Sequence, residues 1–348
     1  MQSILHLYFS SEISKELKEI YNFFDSHFII SPGITGEPLA SLYFNKYEDF
    51  DWEPYKGMKV FTQTIRNKKG SATDFNLEVE KVLVTDDIDL FHNKLTNTVL
   101  ILNKSLKIAS FYISEKSKYY IIDFIRDLII KNEEKLGSLV LHAAGAVCNG
   151  KAIILVGAKG AGKTTYLYDL VVKHKLLFFS GDKIFIKVNI DNEKIDCYGW
   201  PDYPHIGFRT VLKYVRLKDH VEKLGFIIDE NYLEQKILLP PTDLQEALGF
   251  SIVKGPVPIG SIIFPSIHPE MQTTLKKCNH IVENVLEHLE YTDDNPFKNW
   301  HQFIRSVNKD YQKQYLEILR MQLSSYPIYR IEGDGSLSFE NIKELNLS

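Results

Sequence analysis

Apolar positions in the first third of the chain come as short β-like runs: LYF at 42–44, VFTQTI at 60–65 and TVLILN at 98–103. Turn clusters such as Ser31-Pro32-Gly33 and Lys69-Gly70-Ser71 punctuate them, so residues 1–115 read as a β-rich region. The period then changes. From Ser117 to Glu134, Tyr120, Phe124 and Leu128 recur at i, i+4, i+8, with Ile121, Ile125 and Ile129 beside them. That spacing predicts a helix with a wide apolar face, joining the two parts of the chain.

From Leu139 the order is strand, turn, strand, loop, helix, strand: LVLHAAGAV, Asn149-Gly150, KAIILVG, AKGAG, KTTYLYDLVVKH, LLFFSGDKIFIKV. Asn-Gly between two apolar runs predicts a two-residue hairpin, and AIILV reads as a strand covered on both faces. Further strands are expected at 184–188 and 261–265, and helices at 279–290 and 308–323. The fold class is therefore α/β, with a division into residues 1–115 and 116–348.

Composition removes several classes. Of 348 residues 44% are hydrophobic, enough to form a core rather than a disordered chain. With 41 basic and 45 acidic side chains the net charge is −4, which gives no global attraction to nucleic acid or anionic lipid. Cys148, Cys197 and Cys278 are scattered and unpaired in spacing, so a disulfide framework or zinc site is not expected. The start reaches Glu12 without a long apolar run, and Ile121–Ile130 is interrupted by Asp123, Arg126 and Asp127. The expectation is a soluble, cytoplasmic protein that does not engage membranes.

The segment with chemistry is Gly157-Ala158-Lys159-Gly160-Ala161-Gly162-Lys163-Thr164-Thr165, a full G-x-x-x-x-G-K-[ST] between a strand and a helix. Glycines let the backbone turn tightly so that successive N–H groups form an anion nest, to which the helix start adds its own free N–H groups. Lys163 is expected at the β- and γ-phosphates of a nucleotide such as ATP, and the Thr164 hydroxyl is a hard ligand for Mg²⁺. Asp182, closing the next strand, is placed to hold Mg²⁺ or to accept the proton of an attacking hydroxyl; a solvated turn aspartate is the plain alternative.

LHAAGAVCNGKAIILVGAKGAGKTT followed by FFSGDKIFIKV resembles the kinase domain of HPr kinase/phosphorylase and its relatives, which share a P-loop fold with phosphoenolpyruvate carboxykinase. The likeness covers about residues 117–190 and continues more weakly through Gly199-Trp200-Pro201, Gly207-Phe208-Arg209-Thr210 and Ile262-Ile263-Phe264-Pro265. These later pieces are similar to kinases found with ribosomally made peptides, including lasso-peptide kinases. The resemblance implies a P-loop kinase core, an active-site role for His142 and Asp182, and a Ser or Thr of a peptide or small protein as acceptor. The chain departs from the family in three places: the acidic pair appears as Gly181-Asp182, no R-G-L-G signature is visible, and the first half of the chain has no evident counterpart.

Arg209 and Lys236 are candidate cations for transition-state charge, with Arg209 the chosen one. Leu224-Gly225-Phe226-Ile227-Ile228-Asp229-Glu230 imitates a second ATPase motif, and Tyr198, Trp200, Tyr203 and Phe208 are candidates for a pocket or for core. The leading expectation is an ATP- and Mg²⁺-dependent phosphotransferase in which Lys163, Asp182, His142 and Arg209 act. A nucleotide-driven switch and a small-molecule kinase remain open beside it, as does assembly into a homo-oligomer.

Overall fold

A computed structural model describes residues 5–9, 14–28, 36–68, 75–189, 191, 194–233, 235–239, 241–278, 281–292 and 300–345. The turn clusters expected at 31–33 and 69–71 lie outside them. The chain is mixed α/β. Strand β1 (Leu5–Phe9), helix α1 (Ser14–Asp25) and strands β2 (Ala40–Lys46), β3 (Val60–Lys68), β4 (Phe75–Leu83), β5 (Ile88–Asn93), β6 (Thr98–Asn103) and β7 (Ile108–Ile113) come first. The strands make one sheet in the order β1-β2-β7-β6-β5-β4-β3, and the three expected runs fall in β2, β3 and β6.

Helix α2 (Lys118–Lys135) follows, within one residue of its expected span. Its apolar residues do more than face one sheet. Tyr120, Phe124 and Leu128 share a core with Leu42, Phe91 and Phe111 of the first sheet and with Val140, Phe185 and Trp200 beyond it. Burial on every side explains why charged residues Asp127, Lys131 and Glu134 are also inside. They are paired there: Lys131 Nζ lies 2.7 Å and His301 Nε2 2.6 Å from Asp127 Oδ2, and Thr292 N donates to Glu134 Oε1 at 2.9 Å. Gly137, at φ +85°, ends the helix where a Cβ would strike the Tyr315 ring.

The larger sheet is built from β8 (Ser138–Cys148) and β9 (Lys151–Val156), then β10 (Leu177–Ser180), β11 (Lys183–Asn189) and β12 (Lys194–Gly199). Between β9 and β10 lies α3 (Lys163–Tyr168). After β12 come β13 (His205–Gly207), α4 (Phe208–Lys213), α5 (Val215–Lys223), β14 (Lys236–Leu238) and α6 (Pro241–Leu248). The chain closes with β15 (Pro256–Val257), β16 (Ile259–Ile267), β17 (Thr274–Cys278), α7 (Val282–Leu286), β18 (Leu289–Glu290), α8 (Lys313–Leu323), β19 (Ile328–Gly333) and α9 (Phe339–Leu345). The strand path is β15-β12-β11-β8-β9-β16-β19-β17, with β10 and β18 also paired to β8. Strands β9, β16 and β19 run parallel, so the loops after them open on one side.

The Asn149-Gly150 hairpin is present, with φ of +48° and +74°, both left-handed as a type I′ turn requires. Strands β8 and β9 are buried on both faces: Ala144, Ala146, Ile153 and Leu155 pack toward α3, and Ala143, Ile154 and Val156 toward α8.

Three expectations need correction. The helix over 163–174 is α only to Tyr168; Asp169–Lys173 is a π-turn, in which the buried Asp169 accepts from Leu337 N at 2.7 Å and Lys213 Nζ at 3.4 Å. The helix expected over 279–290 is α only at Val282–Leu286. Beyond it Leu289 and Glu290 pair with Leu141 and Val140, and the β8 edge outcompetes another helical turn. Finally, 308–323 starts as a 3₁₀ turn, Lys309–Gln312, before α8.

Candidate active site

Strand β8 carries a different neighbour on each half of each edge. On one edge Ser138–His142 pair with β11 and Gly145–Val147 with β10, and the gap between them is the turn Gly181-Asp182. On the other edge Val140 and Leu141 pair with β18, and Ala143–Cys148 with β9. The gap on this edge is where the chain leaves β9 for the phosphate-type loop. His142 closes the β11 ladder opposite the gap between β18 and β9, and with Cys148 it is one of the two half-buried positions of the strand.

The Gly181-Asp182 turn is locked from behind. The Ser180 hydroxyl, fully buried, donates to the Lys183 carbonyl, and Ala143 N donates to Asp182 O at 3.0 Å. Asp182 is thereby held beside β8 with its carboxylate half-exposed, Oδ1 3.7 Å from His142 Nε2.

A second carboxylate arrives from the opposite edge. Glu290 Oε1 lies 3.0 Å from His142 Nδ1, and its other oxygen accepts from Lys183 Nζ. Burial works to raise the Glu290 pKa, yet the hydrogen bond from His142 and the charge of Lys183 hold it down to about 2. This residue was missed from the sequence: it lies inside a stretch with helical spacing, 148 positions from the histidine.

The loop Gly157–Thr165 faces this cluster. Gly160 and Gly162 adopt φ of +89° and +102°, which an L side chain resists. A Cβ on Gly162 would also lie 2.2 Å from Ile267 Cγ1, so the loop is seated on the end of β16. Lys159 is exposed, Thr164 and Thr165 are half-buried, and Ala161 N bonds back to Ala158 O at 3.2 Å. The Lys163 ammonium donates to the carbonyls of Gly157 and, at 3.3 Å, of Ala158. Burial lowers its pKa from the ordinary value; the charges of Asp182 and Glu290 pull it up again, and Lys236 pushes it down. These couplings bring Lys163, Asp182 and Glu290 into one electrostatic field. His288 joins it, its pKa lowered by burial and by the charges of Lys163 and His142.

Lys236 belongs to the β13–β14 ribbon, paired with Gly207. Arg209 lies two residues on, exposed in the first turn of α4, with its N–H bonded to Leu233 O at 3.4 Å. Of the two sequence candidates, Lys236 is the one whose charge bears on Lys163. The Leu224–Glu230 run is not a strand ending in a metal-binding acid: Asp229 caps a 3₁₀ turn by accepting from Asn231 N at 2.8 Å. Gly225, at φ +87°, ends α5 and releases the chain into this loop. Trp200 and Phe208 are buried core, and Trp200 packs on Phe185 and Phe28. Tyr203 stacks on Phe23 at 4.9 Å, also as packing. The cysteines are free thiols.

The chain matches no family model and none of the curated proteins. Among the described residues no helix is long and apolar enough to cross a membrane.

Proposed function

We propose that this protein is an ATP-dependent phosphotransferase with a P-loop kinase core of the HPr kinase type, moving the γ-phosphate to a Ser or Thr hydroxyl of a peptide or small protein. The observation that carries the reading is that Asp182 Oδ1 lies 3.7 Å from His142 Nε2 of β8 while the Asp182 charge acts on Lys163 of the 157–165 loop.

The donor set fits a magnesium nucleotide. Main-chain amides of 157–165 and the Lys163 ammonium suit polyphosphate oxygens, and the Thr164 hydroxyl with one Asp182 oxygen suits a hard cation. Among the described residues no three His, Cys, Asp or Glu side chains form a ready metal cage. Mg²⁺, when bound, would offset charge on the phosphates.

The protein's own part is positioning and proton handling. Lys163 supplies positive charge where negative charge develops. Asp182, half-exposed beside His142, accepts the proton of the acceptor hydroxyl. The acceptor oxygen then forms its bond to the γ-phosphorus while the bond from that phosphorus to the bridging oxygen breaks, and the electron pair leaves with the diphosphate.

Labelled ATP with Mg²⁺ and an array of Ser- and Thr-centred peptides tests the reading. Phosphate on a hydroxyl, lost in Lys163→Ala, is the expected result. Steady orthophosphate release with no phosphorylated product would overturn it in favour of a nucleotide-driven switch.

A further inference from the structure

The site departs from the kinase pattern by having glycine at 181, which leaves Asp182 as the single acid of its turn. The other edge of β8 answers that gap. We infer that Glu290 is the positioning residue of the site, a carboxylate supplied from β18 that fixes the ring of His142 so that Nε2 is turned toward Asp182.

The geometry forces the direction of the hydrogen bond. Glu290 faces the Lys183 ammonium with one oxygen, and a carboxylate paired in this way offers its other oxygen as an acceptor. A carboxylate can only accept, so His142 Nδ1 must be the donor across the 3.0 Å contact. Nε2 is then the ring nitrogen turned toward Asp182 Oδ1, 3.7 Å away. Glu290 is itself held in place. Lys183 Nζ binds its second oxygen, and the backbone of β18 is pinned by pairing with Val140 and by His142 N donating to His288 O at 2.9 Å. Lys183 is also the cross-strand partner of His142, so the ring, the lysine and the glutamate form a closed triangle over two strand edges. A surface ion pair has no need of such double anchoring, whereas a histidine that must present one particular nitrogen does.

The inference rests on the kinase reading for its purpose, and the experiment separates the two. Three variants are compared with the wild type: Glu290→Ala, Glu290→Gln, and His142→Gln, which assigns the ring signals. Calorimetry with Mg-ATP reports the nucleotide site, ¹⁵N shifts report the His142 tautomer, and labelled-phosphate transfer to the Ser/Thr peptide array, or orthophosphate release, reports turnover. The wild type is expected to show Nδ1–H. Glu290→Ala is expected to bind Mg-ATP as the wild type does, to show a mixture of tautomers, and to lose turnover by about 10- to 100-fold with little change in the KM for ATP. Glu290→Gln keeps an acceptor oxygen and a near-identical shape; it is expected to recover part of the loss, and it stands in if the alanine variant does not fold. An Nε2–H tautomer in the wild type, or wild-type shifts and turnover in Glu290→Ala, would overturn the inference alone. A wild type that fails to bind Mg-ATP would overturn the proposed function, and this role for Glu290 with it.

Discussion

His142 and Glu290 are joined by a 3.0 Å hydrogen bond across 148 positions of chain, and both sit on β8 or against its edge. This contact, with Asp182 on the other side of the ring, decides which side chains should matter most and in what way.

Asp182 is expected to be the most sensitive carboxylate for turnover. Asp182→Asn keeps the shape of the turn, which is held by the Ser180 hydroxyl and not by the carboxylate. Transfer measured with labelled ATP should fall at least about a hundredfold if the group takes the acceptor proton. Near-normal turnover would reject that role.

Two glycines of the loop should respond differently to alanine. Gly160 has open space where a Cβ would go, so Gly160→Ala meets only the left-handed backbone, a cost of about 1–2 kcal/mol. Gly162→Ala meets that strain and also the side chain of Ile267. Thermal unfolding and Mg-ATP calorimetry should rank Gly162→Ala as the more damaging in both stability and affinity.

Trp200 should behave as core. Fully buried between Phe185 and Phe28, with the Arg126 guanidinium 5.5 Å from its ring, it is expected to cost about 3–5 kcal/mol on truncation to alanine. Its more conservative change, Trp200→Phe, should unfold at a lower temperature than the wild type yet bind Mg-ATP with unchanged affinity. A specific loss of affinity in a stable Trp200→Phe protein would return this residue to the list of pocket candidates.

Stability should depend on pH through two glutamates of opposite sign. Glu290 is depressed to about 2, so its contribution is complete above the ordinary value of 4.5 and is lost as pH falls from there through about 2. Glu134 is raised to about 7 by burial, so the folded state holds its proton longer than the unfolded one, and stability declines as pH rises from 4.5 through 7. Chemical denaturation at a series of pH values checks both. Glu134→Gln should flatten the upper slope, and a slope unchanged by that substitution would sink the assignment.

Much of this arrangement was legible in local pattern. The Asn149-Gly150 turn, the strand at Lys151–Val156, the loop that follows and the helix at 118–135 each follow from short-range signals, and all appear within a residue or two. What local pattern could not carry is pairing across the chain. Val282, Val285, Leu286 and Leu289 have helical spacing, and only the vacant edge of β8 makes Leu289 and Glu290 extended. For the same reason the contact of Glu290 with His142 was invisible in the sequence. Arg209 and Lys236 were both candidates by charge alone, and only the β13–β14 pairing shows where Lys236 sits when its charge acts on Lys163. The apolar run at Leu224–Ile228 copied the composition of a buried strand without its neighbours, and Gly225 turns it into a loop.

The edge of β8 that receives β18 has a consequence for biosynthesis. A ribosome adding roughly 5–20 residues each second will have finished the nucleotide loop many seconds before Glu290 leaves the exit tunnel. Until then the histidine lacks its Glu290 acceptor, and Lys183 faces only the Asp182 carboxylate, 4.0 Å away. The β8–β9 hairpin can thus close before the acceptor of the His142 ring proton exists.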